Sequence, residues 1–405
     1  MELVFAKIFI AMALWSWGSD VYGRLGHGTE DQHCGTPMEV RSLSGVRLIA
    51  VAVGSAHNIA IEEDGRCYTW GKCHYGQLGH GEIDQNELIP RPVGALGAVS
   101  IVSVGAGDSH VLAITSAGEL YTWGVGFYGC LGHGDETSLT TPKLVDKLLG
   151  EVVVSVSGGA FHSLAVNDRG QLFVWGRNHC GQLGLKALEM PDYSKGGKVT
   201  KLVCLNQKMP VHLPLKSDYI AKLVSARKDH SLILLENGYL LSFGNNEQGQ
   251  LGRDQKTPKL EDSNDCLIDP NHFKNGEGIP EKVIYVSAGY DHCAAITESH
   301  LLFTWGGGKH GQHGQGHTRD SKFPSLVDQT SHKEFIHVSC GDSFTVALSK
   351  DRTLLAFGSP DYGKLGVGRN GNATKPTPLS TVLPRTINGI CCGTNHTLAY
   401  TLIHK

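Results

Sequence analysis

The stretch Gly54-Ser-Ala-His-Asn-Ile-Ala-Ile-Glu-Glu-Asp-Gly-Arg-Cys-Tyr-Thr-Trp-Gly71, running on to Tyr75-Gly-Gln-Leu-Gly-His-Gly81, decides the fold because it recurs along the whole chain. Its aromatic-glycine pair returns as Trp17-Gly18, Trp123-Gly124, Trp175-Gly176, Phe243-Gly244, Trp305-Gly306 and Phe357-Gly358. Including Trp70-Gly71, the steps are 53, 53, 52, 68, 62 and 52 residues, a period that marks a repeat architecture. After each pair comes a G-x-L-G turn, from Gly23–Gly26 to Gly363–Gly366, with His313 replacing leucine in the sixth copy. A small-residue turn ending in histidine precedes the pair at His57, His110, His162, His292 and His396. Two copies deviate: Arg227 replaces the glycine before His230, and Phe344 replaces the histidine.

Within a unit the pattern is that of short strands, as in Leu48 to Val53, Asn58 to Ile61 and Arg66 to Trp70. Glu63-Asp64-Gly65 between the last two is a hairpin signal, and it returns as Glu236-Asn237-Gly238. A small antiparallel sheet with two apolar faces cannot bury them alone, so neighbouring sheets must pack face to face and the array must close. The recurring tryptophan, with about 150–250 Å² of surface, is the natural wedge between blades. The last unit stops after Tyr400, before any aromatic-glycine pair, whereas the chain begins with a strand ending at Trp17-Gly18. The expected fold is therefore all-β: a closed seven-bladed β-propeller of four-stranded antiparallel blades, with N- and C-terminal strands sharing one blade. Residues 1–405 form a single propeller in this reading, with insertions at 185–219 and 253–282 in the two overlong units.

At 405 residues the chain could hold two or three ordinary domains, but the repeat assigns it one. The 52 glycines fit many tight turns. Lys plus Arg at 36 against 39 acids leaves a net charge of −3, so no global field draws the chain to nucleic acid or anionic lipid. Eleven scattered cysteines without a C-x-x-C pair fit reduced thiols, hence cytoplasm or nucleus. Met1 to Leu14 is apolar apart from Glu2 and Lys7, yet it is not read as a signal peptide, because Leu14 to Gly18 belong to a repeat. No stretch approaches the roughly 20 apolar residues of a spanning helix, so no membrane partner is expected.

The unit quoted above resembles the regulator of chromosome condensation repeat, and the resemblance covers essentially the whole chain. It implies a seven-bladed propeller and implies much less about activity. Members of that family include the nuclear exchange factor for the small GTPase Ran, the substrate-side modules of HERC-type ubiquitin ligases, and the plant ultraviolet-B photoreceptor. A photoreceptor needs extra tryptophans clustered on one face, whereas the six here are Trp15 and the five in aromatic-glycine pairs. For exchange, the resemblance points to the E-Q-G-Q-L-G-R run Glu247–Arg253 and to the pair Asp229-His230. Against it, Arg177 to Gly184 reads as an ordinary turn, Phe161 replaces the expected acid, and Gly341 to Phe344 ends in phenylalanine rather than histidine. A basic N-terminal arm that would contact DNA phosphates is missing from Met1 to Leu14, so no direct nucleic acid partner is expected.

The repeating histidines sit on separate blades without the close i, i+3 or i, i+4 partners of metal sites, so a structural hydrogen bond is expected of them. A second set, His27, His80 and His133, also repeats with the scaffold. No nucleophile elbow, P-loop or dinucleotide fingerprint is present, and Gly306-Gly307-Gly308-Lys309 reads as a blade turn. The reading is thus a non-enzymatic interaction scaffold or regulatory propeller without cofactor or metal. Its partners are expected to be proteins, with exchange on a Ran-type small GTPase as the alternative. Asp108, Asp229, Asp291 and Asp342 fall at or next to the position before the repeat histidine, on equivalent loops. They are expected in the contact surface, with Lys195, Lys198 and Lys201 of the first insertion supplying positive charge.

Overall fold

The computed structural model describes residues 13–81, 85–191, 200–253, 266–268, 278–327, 333–368, 370–379, 381, 383–384 and 387–401. Among them are seven four-stranded antiparallel sheets, numbered here as blades 1 to 7 by the order of their aromatic-glycine pairs. Blade 2 shows the pattern: Leu48–Val53 innermost, then His57–Glu62, Cys67–Gly71 and Glu87–Pro92 at the rim. The second strand is buried along almost its whole length because sheets cover both of its faces. The outer strand carries Pro90 and Pro92, which an edge tolerates because no ladder donor is needed on its open side.

Blade 1 closes the ring. Leu14–Gly18 lies between Cys34–Glu39 and the C-terminal strand His396–Tyr400, in register from Leu14↔Tyr400 to Gly18↔His396. The expected sharing of one blade by the two ends is thus present, and two open sheet edges are removed. Innermost strands are also stitched to one another. The backbone N–H groups of Ala226, Ala288, Cys340 and Cys392 donate at 2.9–3.0 Å to Ser157, Ser225, Ser287 and Ser339 of the preceding blade.

The five paired tryptophans are fully buried between blades. Each indole N–H donates to the carbonyl of the second residue of the previous blade's G-x-L-G turn, as in Trp123 to Gln77 at 3.0 Å and Trp17 to Lys364 at 2.9 Å. That approach explains a glycine: Gly79 has φ +78, and a Cβ there would lie 2.9 Å from Trp123 Nε1. The glycine of the pair has its own reason. At Gly71, φ is +102 and a Cβ would stand 2.4 Å from the Ala56 carbonyl oxygen.

Residues 185–219 contain more than a connection. They hold a hairpin, Leu188–Pro191 with Thr200–Val203, and the outer strand of blade 4, Gln207–Leu213. Within 253–282, Leu267–Ile268 is the outer strand of blade 5. No described helix is long and apolar enough to cross a membrane.

Candidate functional site

In each blade the histidine, or Phe344 in blade 7, opens the second strand opposite the glycine that ends the third, as in His57↔Gly71, His292↔Gly306 and Phe344↔Gly358. The histidine loops and the G-x-L-G turns therefore share one face, which also carries the hairpin Leu188–Pro191/Thr200–Val203. Around the axis the loops are linked by their backbones: Ser55 N–H to Asp108 O (3.2 Å), Asp108 N–H to Gly159 O (3.0 Å), Ala160 N–H to Lys228 O (2.8 Å) and Tyr290 N–H to Gly341 O (3.1 Å).

The repeat histidines fasten this ring from below. His110 Nε2 shares a hydrogen bond with Ser163 (2.9 Å), His162 with Ser231 (2.9 Å), His292 with Thr345 (2.8 Å) and His396 with Asn58 (2.8 Å). Each partner directly follows the histidine position of the next blade, and Ser163 in turn donates to the Cys130 carbonyl at 2.8 Å. His57 is the exception. Val111 stands where the partner hydroxyl belongs, and both ring nitrogens of His57 lack a hydrogen bond. Burial depresses most of these imidazoles, His57, His162 and His230 to about 3, His110 to about 4 and His396 well below its ordinary value. At His292, by contrast, burial is outweighed by Cys340 and Asp291, which raise the ring to about 9. The second set is equally architectural, with His27, His80 and His133 sharing hydrogen bonds with Ser16, Thr69 and Thr122 of their own third strands.

At the centre of the face the deviating loop of blade 5 changes the chemistry. Arg227 turns its guanidinium into the channel, with Nη2 donating to Asp342 Oδ1 at 3.0 Å and Thr394 Oγ1 at 3.4 Å, and Nη1 to Cys392 O at 3.4 Å. Asp108 Oδ1 lies 3.9 Å from its Nε. One side chain thus ties blade 5 to blades 7, 1 and 3. Burial opposes its charge, but Asp342 and Asp108 outweigh burial and hold the Arg227 pKa above its ordinary value. Burial raises the Asp108 carboxyl, with Arg227 pulling the other way. The next residue, Lys228, takes a left-handed φ of +47 and places its ammonium 3.7 Å from the Tyr290 ring centroid.

The structure brings the four acids to one face and gives them different surroundings. Asp108 and Asp342 point to Arg227. Asp229 Oδ1 accepts from Gln182 Nε2 of blade 4 at 3.1 Å, and Asp291 Oδ1 accepts from Gln312 Nε2 of its own blade at 3.2 Å. Lys201 pairs with Met190 in the blade-4 hairpin. Lys195 and Lys198 lie outside the described residues.

Sequence reading missed an arc of aromatic side chains on this face. Tyr22, Tyr75, Tyr128 and Tyr362 precede the first glycine of the turn in four successive blades around the ring. Tyr75 packs edge-on to Phe127 (5.8 Å), and Phe161 lies beside both Phe127 (6.2 Å) and Tyr128 (5.4 Å). Cations sit over the rings, with Lys72 4.9 Å from Tyr22 and Arg177 5.0 Å from Tyr128. Tyr22, Tyr128 and Tyr362 have φ of +69, +60 and +60, a region unfavourable for a side chain of that size. The signal was visible as an aromatic in one fixed slot of the repeat.

The closed propeller thus presents one loop face that combines exposed aromatic side chains with acids and bases, crossed at its centre by Arg227. The chain belongs to the regulator of chromosome condensation family: residues 140–404 match the RCC1-like domain, and residues 13–61 and 64–114 match the RCC1 repeat. It is 32% identical over 320 residues to the ultraviolet-B receptor UVR8 of Arabidopsis thaliana, covering 79% of this chain and 66% of that protein. It is also 32% identical to human HERC2, an E3 ubiquitin-protein ligase, over 82% of this chain and only 6% of the ligase. At 26% identity, RUG3, a mitochondrial RCC1 domain-containing protein of Arabidopsis thaliana, aligns over 96% of this chain and 88% of its own. Among solved structures, human WBSCR16 superposes with a TM-score of 0.78 at 20% identity, covering 97% of this chain and 99% of that one. Yeast Prp20p gives 0.78 at 19%, covering 98% and 92%.

Proposed function

We propose that this chain is a non-enzymatic interaction propeller that seats a protein partner on the face of the histidine loops. The observation that carries this reading is the aromatic arc, in which exposed Tyr75, Phe127 and Tyr362 stand beside half-buried Tyr22 and Tyr128 capped by Lys72 and Arg177. Aromatic and cationic side chains of this kind concentrate binding energy at protein interfaces. Three tyrosines held at left-handed φ add weight, since strain of this kind persists where surrounding structure and function retain it. Asp229 and Asp291 flank the arc and, with Lys195, Lys198 and Lys201, would set orientation through charge. Asp108 and Asp342 contribute less directly, since Arg227 engages both. Eleven cysteines, none in a disulfide, support a reducing compartment, cytoplasm or nucleus.

The test compares proteins recovered quantitatively with the wild type, with Phe127→Ala/Tyr362→Ala, and with Arg66→Ala on the opposite face. Partners lost only from the double variant support the reading. Equal recovery from all three would overturn it.

Exchange on a Ran-type GTPase is the second reading. Yeast Prp20p is described with binding to Gsp1p and histones, and the pair Asp229-His230 with the run Glu247–Arg253 matches the exchange pattern in part. His230 is fully buried with Nε2 3.2 Å from Cys293 Sγ, so any exchange would rest on Asp229 rather than on imidazole. Release of a fluorescent guanine nucleotide from Ran at micromolar propeller decides it. Acceleration abolished by Asp229→Ala establishes exchange, and no acceleration removes it.

A further inference from the structure

At the junction of blades 4 and 5, His179 and Cys180 converge on Asp229, an acid of the proposed contact face, in an arrangement that the repeat does not account for. His179 and Cys180 precede Gly181 in the blade-4 turn, and Asp229 lies in the histidine loop of blade 5. Cys180 Sγ is 3.2 Å from His179 Nε2, which is 3.8 Å from Asp229 Oδ2. The three ligand atoms all lie within 4.8 Å of one another. We propose that His179, Cys180 and Asp229 bind a divalent cation of the zinc type.

The spacing suits such an ion. With bonds of about 2.3 Å to sulfur and about 2.0–2.2 Å to nitrogen or oxygen, a tetrahedral zinc ion separates its ligand atoms by roughly 3.3–3.7 Å. The donor set is mixed thiolate, imidazole and carboxylate, which favours zinc over the hard cations that take oxygen alone. A fourth position remains for water, as in three-ligand zinc sites.

The supports are in place. Gln182 receives the Cys180 backbone N–H on its Oε1 at 3.0 Å, and its Nε2 donates to Asp229 Oδ1 at 3.1 Å, which leaves Oδ2 directed at His179. Asn178 Oδ1 accepts from Leu183 N–H at 3.0 Å and fixes the turn. One contact must change: Gln182 Nε2 also reaches His179 Nδ1 at 3.3 Å, and with the ion on Nε2 the ring proton sits on Nδ1. The exposed ring can exchange that long contact for water.

The cluster is neither a nucleophilic relay nor a piece of the repeat. A thiol–imidazole–carboxylate relay places thiol and acid at opposite ring nitrogens, whereas here both face Nε2. In the repeat, the equivalent turn pairs are Val21-Tyr22, His74-Tyr75, Phe127-Tyr128, Glu247-Gln248, Lys309-His310 and Asp361-Tyr362. No other blade combines histidine with cysteine there.

The test titrates zinc alone into the metal-free, reduced full chain against a chromophoric chelator, and repeats it with cobalt. One equivalent should bind with a Kd on the order of micromolar or tighter, and cobalt should show a sulfur-to-metal charge-transfer band. Cys180→Ser should abolish that band, Asp229→Asn should weaken zinc by at least about tenfold, and Cys204→Ser should change neither. Thermal melts confirm that each variant is folded. Absence of stoichiometric binding, or binding that survives either Cys180→Ser or Asp229→Asn unchanged, would overturn the site.

Discussion

The Nη2 of Arg227 lies 3.0 Å from Oδ1 of Asp342, an ion pair that crosses the central channel rather than joining neighbours. The guanidinium is less than a tenth exposed, so its partners and not water compensate its charge. Five units carry glycine at the equivalent position before a histidine, and there that residue has no side chain to send across the channel.

Arg227→Ala should therefore leave Asp342 and Asp108 facing one another without a cation. A loss of about 2–4 kcal/mol is expected, below the fully buried limit because both acids keep some water. Denaturant unfolding measures it. Adding Asp342→Asn to the arginine variant should restore part of the loss, and a strictly additive double variant would show that the pair is not coupled.

Val111→Thr should stabilise the protein by about 1 kcal/mol. The new hydroxyl would stand where Thr345 and Ser163 stand in their blades, within reach of the bare His57 Nε2 and the Gln77 carbonyl. An unchanged or lowered denaturation midpoint would mean that His57 is not held as its five counterparts are.

Acid should open the ring well before carboxylates titrate. His57, His110, His162 and His230 have folded pKa values of about 3 to 4, below the ordinary 6.5. Below 6.5 the unfolded chain takes up protons that the folded chain refuses, so stability falls as pH drops from 6.5 towards 4. The slope approaches about 1.4 kcal/mol per pH unit for each such histidine. Melting temperatures between pH 6.5 and 4.5 test this, below the range in which His292, raised to about 9, contributes a slope of opposite sign. A flat profile above pH 5 would contradict the burial of neutral imidazole.

The fold was legible because the repeat writes its own geometry: Gly79 and Trp123 meet in space, and both recur at fixed spacing in the chain. Closure was legible for the same reason, since Tyr400 lacks the strand that Leu14 to Gly18 provide. Outer strands were harder to see. Gln207–Leu213 is half-exposed and carries Pro210, so it shows no clean alternation and reads as part of a loop. The reach of Arg227 was not legible at all. Period gives the position of a residue within its blade, but a long side chain that crosses the axis meets partners 115 and 167 residues away. The histidine partners lie between these cases, because a hydroxyl follows the histidine position in some units, as at Ser163, Ser231 and Thr345, but points to the blade before it.

The closing strand sets a schedule for the newborn chain. The Trp17 indole finds its acceptor at Lys364, 347 residues later. At roughly 5–20 residues per second, the first aromatic wedge must wait tens of seconds on the ribosome before its pocket exists. Blades 2 to 7 can stack in order of emergence, but until the last strand is released Leu14–Gly18 is an apolar ribbon with one neighbour absent. That interval, rather than the finished ring, is where the open edges of the array are most exposed to mispairing.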